Sequence, residues 1–122
     1  MKKTAFGIVL KVKNLPACRA FYRDILELGE PVLDSSFRVE FRFGGTFSLI
    51  LEKDPWETVL PPQGERVAWL YTEGNAETVR RRMADYGYTV PAAAPASDKG
   101  GMALCRFCDP EGNPFYVPTD KY

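Results

Sequence analysis

The 122-residue chain contains no histidine. That removes the commonest metal ligand and the usual general base near neutral pH, so any chemistry would fall to Asp, Glu, Tyr, Cys or Lys. Net charge is also missing, because sixteen Lys and Arg balance sixteen Asp and Glu. No long-range field then draws the molecule to nucleic acid or an anionic membrane, which leaves a small molecule or another protein as the expected partner. Long apolar runs are lacking too. Lys2 and Lys3 lead into an apolar segment far shorter than a signal-peptide core or a membrane span, so the expected location is the cytoplasm. Cysteine is scarce and odd in number, at three, which fits free thiols in a reducing compartment better than a disulfide scaffold. Cys105 and Cys108 do spell CxxC, the form of half a zinc site or a redox pair. No second CxxC accompanies it, however, and on a strand residues three apart point to opposite faces.

What is present suffices for one globular domain over residues 1–122, since 45% of positions are hydrophobic. FGIVLKV (6–12) reads as a strand with Ile8, Leu10 and Val12 on one face. Asn14 then supplies a helix N-cap, Pro16 falls in the first turn, and Phe21, Tyr22, Ile25 and Leu26 recur at helical spacing before Gly29 stops the helix. Three more strands follow: a short one near Val32, FRVEFRF (37–43) and FSLILEK (47–53), the last two linked by the tight GGT at 44–46. In FRVEFRF, Phe37, Val39, Phe41 and Phe43 share a buried face and Arg38, Glu40 and Arg42 the polar one.

DPWETVLPPQGE (54–65), with three prolines, cannot continue a sheet and reads as a connector. Then the first pattern returns. RVAWLY (66–71) reads as a strand, Asn75 caps a helix carrying Val79, Met83 and Tyr86, and Gly87 ends it. Tyr88 to Val90, a loop, the strand MALCRFC, the turn DPEGN and the strand PFYVP complete the chain. Asn14 and Asn75 lie 75 − 14 = 61 positions apart, and Gly29 and Gly87 lie 87 − 29 = 58 apart. The fold class read from this is α+β, two copies of a βαβββ module at about 4–53 and 66–119.

Two stretches carry a family resemblance. VKNLPACRAFYRDILELG is similar to the "V-x-D-L…FY-x-x-x-L-G" stretch of the vicinal oxygen chelate superfamily, the glyoxalase/bleomycin resistance/extradiol dioxygenase group, and DPEGNPFYV to its "DP-x-GN-x-x-E" ending. Asn14 stands where Asp is more usual. The resemblance implies curved mixed sheets wrapped around a cavity with helices outside, often completed by a second chain, so a homodimer is expected. It also implies four metal seats, two per module, which carry over to Gly7, Ile50, Arg66 and Tyr116. Glycine and isoleucine have no donor, arginine stays protonated, and a neutral phenol is a poor substitute for a carboxylate. The expectation is therefore no metal and no cofactor, as in the bleomycin resistance-like members.

Strand alternation then lists the cavity lining. Opposite the helix-facing residues stand Gly7, Val9 and Lys11, then Arg38, Glu40 and Arg42, then Ser48 and Ile50, then Arg66, Ala68 and Leu70, with Tyr116 on the last strand. Val9, Lys11, Arg38, Glu40, Ser48, Ile50, Arg66, Ala68 and Tyr116 are the candidate ligand-binding residues of an amphiphilic concavity. Arg38, Glu40 and Arg42 read equally well as a solvated cross-strand ladder, and Lys11 as a side chain snorkelling at the sheet edge. Trp69 reads as core, and Trp56 as either a ligand flank or a dimer seal. Arg80, Arg81 and Arg82 read as an exposed helix face. The expected function is metal-independent small-molecule binding, sequestering an antibiotic or aromatic metabolite. The alternative is a glyoxalase-like lyase or dioxygenase with a non-standard metal site, for which Glu52, Asp54, Glu40 and Cys105 are the nearby donors though they form no spaced cluster, or a metal-free one using Tyr116 or Glu40 as acid or base. A third is a scaffold whose groove takes a peptide or another subunit.

Overall fold

Phe6–Val12 alternates between outward and inward positions, and it forms the first strand, β1. A computed structural model of the chain describes residues 6–54, 66–90 and 103–119. They fall in two compact units, Met1–Leu60 and Pro61–Tyr122.

In unit one, β1 leads to helix α1, Leu15–Ala20, whose first turn is closed by the Asn14 side chain accepting from the Ala17 N–H at 3.1 Å. The helix continues as a π-helical stretch, Phe21–Ile25, that buries Phe21, Tyr22 and Ile25. Its stop is not Gly29 but Glu27, which takes φ 51°, while Gly29 follows at φ 84°. The Leu28 N–H donates to the Tyr22 carbonyl, six residues back. The π turn holds one residue more than an α turn, and the left-handed stop falls at Glu27, two residues before the glycine. Strands β2 (Leu33–Asp34), β3 (Arg38–Phe43) and β4 (Phe47–Lys53) complete a sheet of order β1-β4-β3-β2, with β1 parallel to β4 and the other pairs antiparallel. One face of it holds Val39, Phe41, Leu49 and Leu51, all fully buried, and α1 packs on β3 and β4. Burial of this kind contributes about 1.5–3 kcal/mol per large side chain.

Phe37 departs from the alternating pattern. It is 69% exposed and lies outside β3. The Ser35 hydroxyl accepts from the N–H groups of Phe37 and Arg38 at 3.3 and 3.0 Å, a local turn that pulls residue 37 off the buried row.

Unit two repeats the plan with a shorter sheet, order β5-β7-β6, built from β5 (Trp69–Leu70), β6 (Leu104–Cys108) and β7 (Pro114–Pro118). The parallel β5 and β7 and the antiparallel β6 and β7 match β1, β4 and β3 of unit one. Helix α2 spans Ala76–Asp85, with Asn75 accepting from the Thr78 N–H at 2.9 Å. It ends at Gly87, φ 83°, where the Gly87 and Tyr88 N–H groups close on the Ala84 and Met83 carbonyls. Residues 88–90 form no strand, and the expected loop and the expected connector beyond Asp54, Trp56 included, lie outside the described residues. With Glu27 as the first stop, the stops lie 87 − 27 = 60 apart, close to the 61 of the caps.

The expected strand over 66–71 shrinks to Trp69–Leu70, and Val67 is 80% exposed. The partner strand explains the loss. Extending the register of Trp69 with Phe115 puts Ala68 opposite Pro114, which has no N–H, and Val67 opposite Asn113, whose backbone closes the β6–β7 turn. Trp69 is buried as expected, stacked on Phe115 at 5.6 Å, and Phe115 in turn lies on Phe107 at 5.8 Å. Arg80 is not an exposed helix residue. Its guanidinium lies 5.9 Å over the Phe107 ring, bonds Glu77 at 3.0 Å and meets Cys105 Sγ at 3.5 Å. The long side chain spreads along the apolar surface between helix and sheet.

Candidate functional site

The face of the first sheet turned away from α1 is a grid fixed by register. Lys11, Glu52 and Arg38 form one row, Val9, Ile50, Glu40 and Leu33 a second, and Gly7, Ser48 and Arg42 a third. Six of the nine expected site residues, Val9, Lys11, Arg38, Glu40, Ser48 and Ile50, come together here. Val9 is 51% exposed and Leu33 43%, so the middle row offers aliphatic surface to solvent.

The outer rows are tied by charge. Lys11 is ion-paired with Glu52. That hydrogen bond, then the Lys11 charge and more weakly that of Arg38, hold the Glu52 carboxyl below the usual carboxylate range. Glu40 stands between the middle and third rows, its side chain only 15% exposed. Its Oε2 accepts from Arg42 Nη2 at 2.9 Å and from Ser48 Oγ at 3.1 Å. Among the described residues Oε1 accepts from no donor. Arg42 thus pairs with Glu40 two residues along the same strand, Ser48 of β4 bonds the same oxygen across the strand pair, and Glu40 retains an open acceptor.

In unit two the corresponding face carries Leu70, Tyr116 and Arg106 in one row. Leu70 is 44% exposed and Tyr116 half-buried, and the Tyr116 hydroxyl makes no hydrogen bond among the described residues. Arg66 lies outside this row. It precedes β5 and donates from Nη1 to the Glu111 carbonyl at 2.7 Å, bracing the DPEGN turn. Ala68, half-buried, precedes β5 as well.

The turn itself is built on Asp109, 5% exposed. Its Oδ1 accepts from the Glu111 and Asn113 N–H groups, each at 2.9 Å, and its Oδ2 from Asn113 Nδ2 at 3.0 Å. Gly112 takes φ 83°. These bonds register β7 and so set where Tyr116 stands. Cys105 and Cys108 lie on opposite faces of β6, in register with Val117 and Pro114, and burial pushes the Cys108 thiol up.

Pseudo-symmetry identifies the equivalent seats. Val9 pairs with Ile50 in unit one and Leu70 with Tyr116 in unit two, which makes Ile50 and Tyr116 counterparts. Counting two residues back, the counterpart of Gly7 is Ala68, with Arg66 two residues further away. Gly7 is itself constrained, because an added Cβ would sit 2.9 Å from the Ser48 carbonyl oxygen. No three of His, Cys, Asp and Glu among the described residues are grouped to hold an ion.

Leu33 and Arg106 are not among the expected site residues, and Glu52 is expected only as a nearby donor for a non-standard metal site. Glu52 has the same parity as Ser48 and Ile50, so alternation alone could have found it. Leu33 and Arg106 needed the pairing partners of β2 and β6.

No family model matches this chain, and no curated protein does. Solved structures do. A lactoylglutathione lyase from Agrobacterium tumefaciens is 20% identical, with TM-score 0.66 over 97% of this chain and 94% of that one. A genomically encoded fosfomycin resistance protein from Listeria monocytogenes is 16% identical, with TM-score 0.68 over 98% and 92%. A glyoxalase/bleomycin resistance protein from Catenulispora acidiphila is 16% identical, with TM-score 0.67 over 95% and 97%. The chain therefore has the fold of the vicinal oxygen chelate superfamily, α+β with βαβββ architecture. Among the described residues no helix is long and apolar enough to cross a membrane.

Proposed function

We propose that this chain is a metal-independent small-molecule-binding protein of the glyoxalase/bleomycin resistance type, which sequesters its ligand and works as a cytoplasmic homodimer. The observation that carries this reading is the donor chemistry at the seats that the fold family uses for a cation. Gly7, Ile50 and Ala68 have no side-chain donor, Arg66 is a cation held by the Glu111 carbonyl, and Tyr116 is a phenol. These residues do not fit a divalent metal. What the first sheet offers instead is the exposed aliphatic row of Val9, Ile50 and Leu33 with the Glu40 carboxylate set into it. Such a surface suits a flat, partly apolar molecule bearing an N–H or cationic group, which the open Oε1 accepts. The names of the structural neighbours, resistance proteins among them, make an antibiotic a reasonable first class to try. Three free thiols support a reducing compartment.

Calorimetric titration with bleomycin, fosfomycin and a panel of aromatic amines tests the reading. Saturable binding is expected for at least one compound, weakened about tenfold or more in Glu40→Gln, since hydrogen bonds to charged groups contribute about 1.5–3 kcal/mol. A stoichiometric ion retained after dialysis against Mn²⁺ or Ni²⁺ would overturn metal independence, and binding indifferent to Glu40→Gln would remove the first sheet's face from the site. Sedimentation at micromolar concentration checks the dimer, which a single monomeric species would exclude.

A further inference from the structure

Strand β1 ends the first sheet, because the order β1-β4-β3-β2 gives it a single neighbour. Two bonds fix which of its residues face that neighbour. The Phe6 N–H donates to the Thr46 carbonyl at 2.8 Å, and the Val12 carbonyl accepts from the Asp54 N–H at 3.0 Å. In a parallel ladder alternate residues turn both backbone groups the same way, so Phe6, Ile8, Leu10 and Val12 bond to β4 while Gly7, Val9 and Lys11 turn theirs to the outer edge. Among the described residues no backbone donor or acceptor meets these three on that side. All three are exposed, and for Gly7, which has no side chain, that exposure is of the backbone itself. A free edge is commonly blunted by proline, a bulge or several charges. Strand β1 carries none of them: it has no proline, its register is unbroken from Phe6 to Val12, and its one charge, Lys11, is already paired with Glu52.

We infer that a second copy of this chain docks on that edge, its β1 antiparallel to the first with the two-fold axis at Val9. This placement rests on the homodimer proposed above and says where its two chains join. The edge is complementary to itself in only one register. With Val9 opposite the partner's Val9, Gly7 faces the partner's Lys11 and Lys11 the partner's Gly7, so each of the three outward residues gives one backbone bond and accepts one. No ammonium then meets another. An axis at Lys11 would set two ammonium groups directly opposite each other, and one at Gly7, Ile8 or Leu10 would carry an outward residue past the end of the partner's strand. The side chains agree with this register. On the helix-facing side the half-buried Ile8 meets the partner's Leu10, and Phe6, 68% exposed, gains the partner's strand as cover. On the open face the partner's Val9 extends the aliphatic row of Val9, Ile50 and Leu33, so each chain adds a residue to the other's candidate site.

Charge at residue 9 tests the axis, because only there does a side chain face its own copy. Val9 is 51% exposed, so Val9→Lys and Val9→Glu are expected to fold, which a thermal melt checks. In sedimentation each variant alone should show a dimer Kd raised about tenfold or more, and an equimolar mixture of the two should regain the dimer, as opposite charges replace like ones. In hydrogen exchange of the wild-type chain, which needs neither variant, the Gly7, Val9 and Lys11 amides should gain protection as concentration rises through the dimer Kd. The Ile8 and Leu10 amides, bonded to β4, should stay protected throughout. A wild-type chain that remains monomeric overturns both this docking and the dimer reading. A dimer that keeps wild-type affinity in folded Val9→Lys, a mixture that stays monomeric, or protection of the three amides independent of concentration overturns the docking alone.

Discussion

Gly7 lies on the open face of the first sheet close against the backbone of β4. Its register partner is Ser48, whose carbonyl oxygen and Cβ stand 2.9 and 3.3 Å from where a Cβ on residue 7 would lie. The oxygen is backbone, so it cannot turn aside as a flexible side chain would. Gly7→Ala is expected to lower stability by about 1–3 kcal/mol, read from the urea midpoint, and an unchanged midpoint would show that β1 can shift freely against β4. The same clash bars any larger ligating side chain at residue 7 unless the strand moves. Two rows away, Glu52 gives a pH signature. Its carboxyl is held below the ordinary range by the Lys11 hydrogen bond and charge, so the folded state binds its proton less readily than the unfolded chain. The stabilisation is therefore complete above the ordinary glutamate range and is lost as pH falls through the lower folded value. An NMR titration should place the Glu52 midpoint below that of an ordinary glutamate, and Lys11→Met should return it upward.

At the scale of elements, the features legible in sequence are those decided by neighbours along the chain. Asn14 and Asn75 cap their helices as their residue type demands, and the β6–β7 hairpin forms at DPEGN because Asp109 can satisfy three donors of its own turn. What sequence did not reveal depends on a partner element. Strand β5 is cut short by Pro114 of β7 and the preceding Asn113, and Arg66 reaches the hairpin turn. Phe37 is the exception, a local one, since Ser35 two residues earlier claims its N–H. Arg80 lies over Phe107, a residue 27 positions further on (107 − 80 = 27). Within the site, alternation put Glu40 and Arg42 on one face of the same strand, but the bond from Ser48 to Glu40 needed the actual register. The hairpin gives the sharpest test of an element. Asp109→Ala leaves the Glu111 and Asn113 N–H groups and the Asn113 amide without their acceptor in a buried turn. A loss of about 3 kcal/mol is expected. Because the turn registers β7, a reduced protection of the Tyr116 and Val117 amides in hydrogen exchange should accompany it. A stability change under about 0.5 kcal/mol, within the range of surface substitutions, would mean that the turn closes without its carboxylate.

Across the whole molecule, positive and negative charge cancel in number, and on the open face of unit one they pair locally, Lys11 with Glu52 and Arg42 with Glu40. That pattern favours recognition at short range over long-range steering. It also bears on metal, because a cation that binds the folded chain alone must raise its melting temperature. At a free concentration one hundred times its Kd, such an ion stabilises by about 2.7 kcal/mol, which in a domain of this size corresponds to roughly 10 °C. On the metal-independent reading proposed above, with Gly7 and Ile50 in unit one and their counterparts Ala68 and Tyr116 in unit two all lacking a carboxylate or imidazole, Mn²⁺, Ni²⁺ or Zn²⁺ should shift the melt by less than about 1 °C, and chelator treatment should leave it where it was. A shift of several degrees with metal alone would show that oxygens or sulfurs elsewhere in the chain supply the donors that these seats lack.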